Sequence, residues 1–335
     1  MEFGAIKDVI ACLPRGRTLF YYFPDRYAVA LLSRYLGEGR TVAEVKASGF
    51  AKLLQRPALK PVVAAKGDGQ LTPDDLAACW AVQPECYLLT LGSWGPKTRN
   101  QWSSYYHQTS RPGANLVLQL NFSSTHNRSY RALIRPGRRA PFQTSVHPIA
   151  RRGFHTLAWA RLDVDFDTGE ALIEEVQTDW LRYAQAAKRL ADERRVDPEM
   201  QRTIETVYFN GARMDAKALQ TYFDEVLRVH MRVWDEAMLT AVLEFLLDEL
   251  AIRRIYYHDY DCGRRLKSIE GSGPPRSLYS RLPSRFCFEK GRAAPEFLMA
   301  KPTRTLKTLV RADHIRFWVL DFRECGRAAA PDPHG

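Results

Sequence analysis

Long apolar runs are missing from this chain: no stretch reaches the roughly 18–20 apolar residues that a membrane-spanning helix needs. Cysteine is also sparse. Its six copies, Cys12, Cys79, Cys86, Cys262, Cys287 and Cys325, are scattered without a Cys-x-x-Cys pair. That spacing gives no zinc signature and fits reduced thiols rather than a disulfide scaffold. The opening Met-Glu-Phe-Gly-Ala-Ile-Lys-Asp lacks a basic-then-apolar layout, so a secretory leader is not expected and a cytoplasmic location is. Internal repeats and low-complexity tracts are absent. Acid is the minority charge, with 38 Asp and Glu against 49 Lys and Arg and a net charge of +11. This excess implies either an anionic partner such as nucleic acid or a phosphorylated cofactor, or an arginine-rich solvated surface.

What is present is ordinary globular material. The 335 residues are 45% hydrophobic and 26% charged, enough for a sizeable core. Helical spacing over Pro24–Leu36 ends at Gly37, and a second helix is expected through Val42–Leu54. Thr72-Pro73-Asp74-Asp75 has the hydroxyl, proline and acids of a helix start. Apolar or alternating runs at Cys86–Leu91 and Asn115–Phe122 predict strands, with a long loop over Gly92–Gly113 between them. Leu157–Phe166 and Ala171–Asp179, joined by Asp167-Thr168-Gly169, predict a hairpin. Helices are then expected over Leu181–Arg195, within Glu199–Tyr208, over Ala216–His230 and over Asp235–Leu250. The last is apolar almost all round and therefore buried. Ile252–Tyr257, Phe286–Phe288 and Ile315–Phe322 predict further strands. These elements imply an α+β fold with a mixed sheet, a hairpin and packed helices. Residues 1–84 are expected to form a helical extension, 85–325 the core domain and 326–335 a disordered tail.

The richest stretch is Ile173-Glu174-Glu175-Val176-Gln177-Thr178-Asp179-Trp180. On a strand, Glu175, Gln177 and Asp179 share one face while Glu174, Val176 and Thr178 share the other. Carboxylates on a strand face are costly to bury unpaired. The column therefore lines either solvent or a functional cleft, in which case Glu175→Gln is expected to remove activity and leave stability nearly unchanged.

The block Leu157–Trp180 resembles a domain of the long polyvalent proteins of phages and mobile elements, which carries a Glu-Glu-Ile-Gln-Ser-Asp-Trp motif. Here Thr178 stands for the serine, and Trp159 occupies a position where histidine is common. The resemblance spans roughly residues 110–270 and implies an accessory module that binds nucleic acid or a protein. A second resemblance is to the GNAT acyltransferases, whose core is a hairpin, a packed helix, a strand and a short helix ending in a tyrosine-containing turn. It implies a three-layer core, an acyl-coenzyme A donor such as acetyl-CoA, Glu175 or Asp179 as base, and Tyr279 as the acid that protonates the departing thiolate. The glycine-containing pyrophosphate loop of that family has no counterpart in Leu181–Ala186; Asn210-Gly211-Ala212-Arg213 offers a displaced anion loop or a helix stop.

Other constellations surround these. Tyr256–Gly263 places His258 beside Asp259, Asp261 and Cys262, either a metal-binding or proton-transfer site or a polar turn closing a strand. Arg264, Arg265 and Lys267 suit a phosphorylated ligand or a solvated face. His107, His126, His147 and His155 precede the hairpin in loop-like contexts, on equal terms.

Overall fold

The structure, a computed structural model, describes residues 1–12, 18–81, 83–95, 108–137, 140–150, 153–195, 205–269 and 273–323. Its framework is an eight-stranded mixed sheet. The strands are β1 (Thr18–Tyr22), β2 (Glu85–Trp94), β3 (Asn115–Phe122), β4 (Thr156–Asp165), β5 (Glu170–Gln177), β6 (Arg254–His258), β7 (Glu289–Gly291) and β8 (Phe317–Asp321). Their spatial order is β1-β2-β3-β4-β5-β6-β8-β7. Every neighbouring pair is antiparallel except β5 and β6, which run parallel from Glu170 beside Arg254 to Ile173 beside Tyr257. The parallel pair is separated in sequence by a long helical crossover, as parallel neighbours require.

Seven helices of the framework are α1 (Phe3–Cys12), α2 (Arg26–Leu36), α3 (Ser124–Ile134), α4 (Asp179–Arg195), α5 (Arg228–Glu244), α6 (Tyr260–Leu266) and α7 (Arg304–Arg311). α5, buried along much of its length as its composition requires, packs on β4 and β5. Alternation sets the faces: Ala158, Ala160 and Leu162 of β4 enter the main core on the α5 side, so Trp159, Arg161 and Asp163 point to the opposite face. On that front face, Leu172 and Tyr256 join Leu266, Leu306 and Leu309 in a smaller core beneath α6 and α7. The middle of the front face, formed by β3, β4 and β5, is polar. The α+β class and the hairpin β4–β5 stand as expected.

The N-terminal segment is built into this core. β1 forms an edge of the main sheet, and Tyr27, Leu31 and Leu32 of α2 are buried with the residues of α5. Val42–Leu54 divides into Val42–Lys46 and a 3-10 turn, Ala51–Gln55. Phe286 and Phe288 are core residues at a helix end, and the strand follows at Glu289. Helix was expected within Glu199–Tyr208, but Thr206–Phe209 pairs with Ala212–Asp215 as a hairpin. Asn210 and Gly211 both have positive φ, 47° and 77°, the conformation that a two-residue I′ turn demands and Asn-Gly tolerates best. This turn is therefore a hairpin connection, neither an anion loop nor a helix stop. Residues 199–204, 96–107 and the expected tail lie outside the described residues.

Candidate functional site

The motif residues have separate duties that follow from one irregularity. Opposite Arg161 and Leu162 the register slips, with Arg161 facing Glu175 and Leu162 facing Ile173, so Glu174 has no partner on β4. Such a bulge re-aims a side chain. The Glu174 carboxylate reaches Ser110, accepting from its backbone N–H at 2.9 Å and its hydroxyl at 2.9 Å, and lies 3.0 Å from His258 Nε2. Glu175 remains on the front face and accepts from Arg161 Nε at 3.0 Å. Val176 enters the core. Gln177 is half-buried, its side-chain oxygen without a partner among the described residues. Thr178 caps α4, accepting from Leu181 N–H at 3.3 Å while donating to the Leu157 carbonyl at 2.6 Å. Asp179 begins the helix, and Trp180 is fully buried, donating to the Tyr222 hydroxyl at 2.8 Å.

Parallel pairing along the β5–β6 seam ends at Ile173 and Tyr257, although β5 runs on to Gln177. The Lys267 ammonium, itself buried, donates to the Glu174 carbonyl at 2.6 Å, taking a place that a ladder bond would otherwise fill. Burial lowers the Lys267 pKa, and Glu175 works against that shift. Burial also opposes ionisation of Glu174, but the His258 hydrogen bond and the Lys267 and Arg161 charges hold it at about 2. His258 is driven down by burial, an effect that Glu174 only partly offsets. At neutral pH the group is a carboxylate beside a neutral imidazole. Ser110 Oγ also lies 2.9 Å from His258 Nε2, so serine and glutamate compete for the same ring nitrogen. A nucleophile relay needs them on opposite nitrogens, and the fully enclosed trio acts instead as a clamp on the seam. Gly263 fixes the imidazole from behind, since a Cβ there would come within 2.9 Å of His258 Cβ.

A different histidine has the geometry of a base. His147 Nδ1 lies 2.7 Å from Asp179 Oδ2, and the same carboxylate accepts from Trp159 Nε1 at 3.2 Å and from Arg182 at 2.6 Å. Asp179 is 3% exposed on its side chain and His147 25%, so the carboxylate is fixed from inside while the imidazole reaches solvent. The loop bearing His147 is tied to the polar face by Gln119, which donates to the Pro148 carbonyl at 3.0 Å. Burial raises the Glu175 pKa, but the Arg161 and Lys267 charges bring it below its usual value.

Tyr279 stands at the seam with Tyr257, their rings 5.6 Å apart. Burial pushes both phenols far up, and the Glu175 charge adds to the shift. Neither hydroxyl has a hydrogen-bond partner among the described residues, nor does Arg161 Nη1. Buried donors without partners call for an acceptor supplied by water or a ligand.

The residues singled out in sequence therefore gather unevenly. Glu175, Tyr279, His258 and Lys267 border the seam, while Gln177 at the end of β5 and Asp179 at the start of α4 lie toward His147. Arg264 and Arg265 do not join Lys267 in one clamp: Arg265 is exposed against His314, and Arg264 lies over the Tyr260 ring. Asp259 caps α6 and Cys262 is buried, its thiol raised by burial. Glu174, Ser110, Arg161 and Trp159 were missed. Only Glu174 had a local signal, its place in the motif. Among the histidines, His126 and His155 enter an aromatic core around Trp180, and His107 lies outside the described residues. No family model, curated protein or solved structure matches this chain.

Proposed function

We propose that this chain is an N-acyltransferase using an acyl-coenzyme A donor. The observation that carries the reading is the end of β5–β6 pairing beyond Ile173 and Tyr257, where the buried, unpartnered Tyr257 and Tyr279 hydroxyls lie near the Glu175 charge and the His147–Asp179 pair follows just past the end of β5. The pantetheine arm of coenzyme A is a chain of amides ending in a thioester. Backbone edges at a split sheet and unpaired phenolic donors suit such a group chemically. His147 Nε2 accepts the proton of the attacking amine, and Asp179 holds the other ring nitrogen in the donor tautomer. The amine nitrogen bonds to the thioester carbon, the carbon–sulfur bond then breaks, and Tyr279 gives its proton to the departing thiolate. Glu175 is less suited to be the base because Arg161 occupies it and burial denies it solvent. Lys267 is committed to the Glu174 carbonyl, which leaves donor phosphates to cations outside the seam.

Calorimetric titration with acetyl-CoA, together with thiol release in the presence of mixed primary amines, tests the reading. Saturable binding with thiol release supports it. Neither signal from folded protein overturns it and leaves a non-enzymatic module of the polyvalent type, binding nucleic acid or a protein.

A further inference from the structure

The net positive charge of this chain is concentrated. Residues 253–323 contain sixteen Lys and Arg against seven Asp and Glu, so about a fifth of the sequence holds most of the +11. Within that segment, α7 is a strongly two-sided helix. Leu306 and Leu309 are buried in the small front core. At about 100° per residue, Arg304, Lys307, Thr308 and Arg311 fall on the opposite side, and all four are exposed. The helix contains no acid. Asp313, the nearest acid beyond its end, is already shared by Arg292 and Arg316. His314 donates its backbone N–H to the Leu309 carbonyl at 2.9 Å and meets Arg265 at 3.3 Å, which extends the basic surface onto α6.

We infer that the outer face of α7, extended by Arg265, binds the phosphate backbone of duplex nucleic acid without regard to sequence. Three cations spaced about one helical turn apart along a single stripe match a linear polyanion. The apolar side of the helix is spent on the protein core, so it is not available to enter a bilayer, as a membrane-surface helix must. Protein interfaces favour aromatic anchors and disfavour lysine, and the large apolar side chains exposed in this segment, Met299 and Val310, include no aromatic. The same lack of exposed rings favours a duplex backbone over single-stranded bases, which bind by stacking.

The test is fluorescence anisotropy of a labelled 20-base-pair DNA with the full chain, between 50 and 300 mM salt. Binding is expected to weaken steeply with salt. The variant R304Q/K307Q/R311Q is expected to bind at least tenfold more weakly at 100 mM and to flatten the log–log salt slope by about 2 to 3. R304K/R311K is expected to bind like the parent. If the triple variant loses its melting transition, Lys307→Gln alone is expected to reduce the slope by about 1. Unchanged binding by the folded triple variant, or of the single variant where the triple unfolds, overturns the inference. So does equal affinity for poly-glutamate, or for phosphatidylserine vesicles. Acyl transfer plays no part in this outcome, so either proposal can fail alone.

Discussion

His147 and Asp179, 32 residues apart in sequence, form a 2.7 Å contact that holds one imidazole nitrogen inside the protein and leaves the ring otherwise partly exposed. A side chain from a loop and the first residue of α4 meet because β5 ends where that loop crosses the front face. Positioned bases of this type contribute about 10²- to 10⁴-fold to rate. His147→Ala is expected to lower kcat by about 10²-fold or more with the far-ultraviolet spectrum unchanged. Asp179→Asn is expected to lower kcat similarly. Thiol release by either purified variant at the parental rate rules out this base.

Glu175→Gln is expected to be costly to stability, in contrast with the expectation from strand alternation alone. Its partner Arg161 is 1% exposed on the side chain, and removing one member of a buried ion pair strands the other charge at about 3–5 kcal/mol. Replacing both members by Met is expected to recover most of the loss. Urea midpoints of Glu175→Met, Arg161→Met and the double Met variant form the thermodynamic cycle. A negligible coupling energy refutes the assignment.

Acid is expected to unfold this protein early. His230 and His155 are depressed by burial to about 4, and His126 to about 2. A histidine with a lowered folded pKa stabilises the fold fully above its unfolded value near 6.5. That contribution is lost as pH falls from there through the folded values, because the unfolded chain binds the proton more readily. For a group moved from 6.5 to about 4 the full loss is about 3 kcal/mol at pH below 4. Urea midpoints measured from pH 7.5 to 4.5 should decline steadily, and a flat profile contradicts the neutral, buried state of these rings.

Trp180 is a structural member of its motif. It contacts Phe122, Tyr130 and Phe142 edge to face, and Trp180→Ala is expected to cost about 3–5 kcal/mol. Trp180→Phe keeps most of the packing and loses the Tyr222 hydrogen bond, so a cost of about 1–2 kcal/mol is expected. Thermal melting ranks the two, and equal melting temperatures for both variants and the parent negate this role.

Local patterning was enough to reveal the β4–β5 hairpin, the buried helix α5, the stop at Gly37 and the polar column on β5. Each depends on periodicity or turn chemistry within a few residues. Asn210-Gly211 was equally legible as a hairpin turn, but the helical context on either side concealed it. Nothing local shows that Glu174 would bulge out of register, that Arg161 would neutralise Glu175, or that Ser110 would close on His258.

Those outcomes depend on which strands become neighbours and where their pairing slips or ends. Residue chemistry in the chain supplied the carboxylates, phenols and imidazoles. Their partners came only from the sheet order, because burial makes an unpaired charge intolerable and the only groups near enough to pair with it arrive from distant segments.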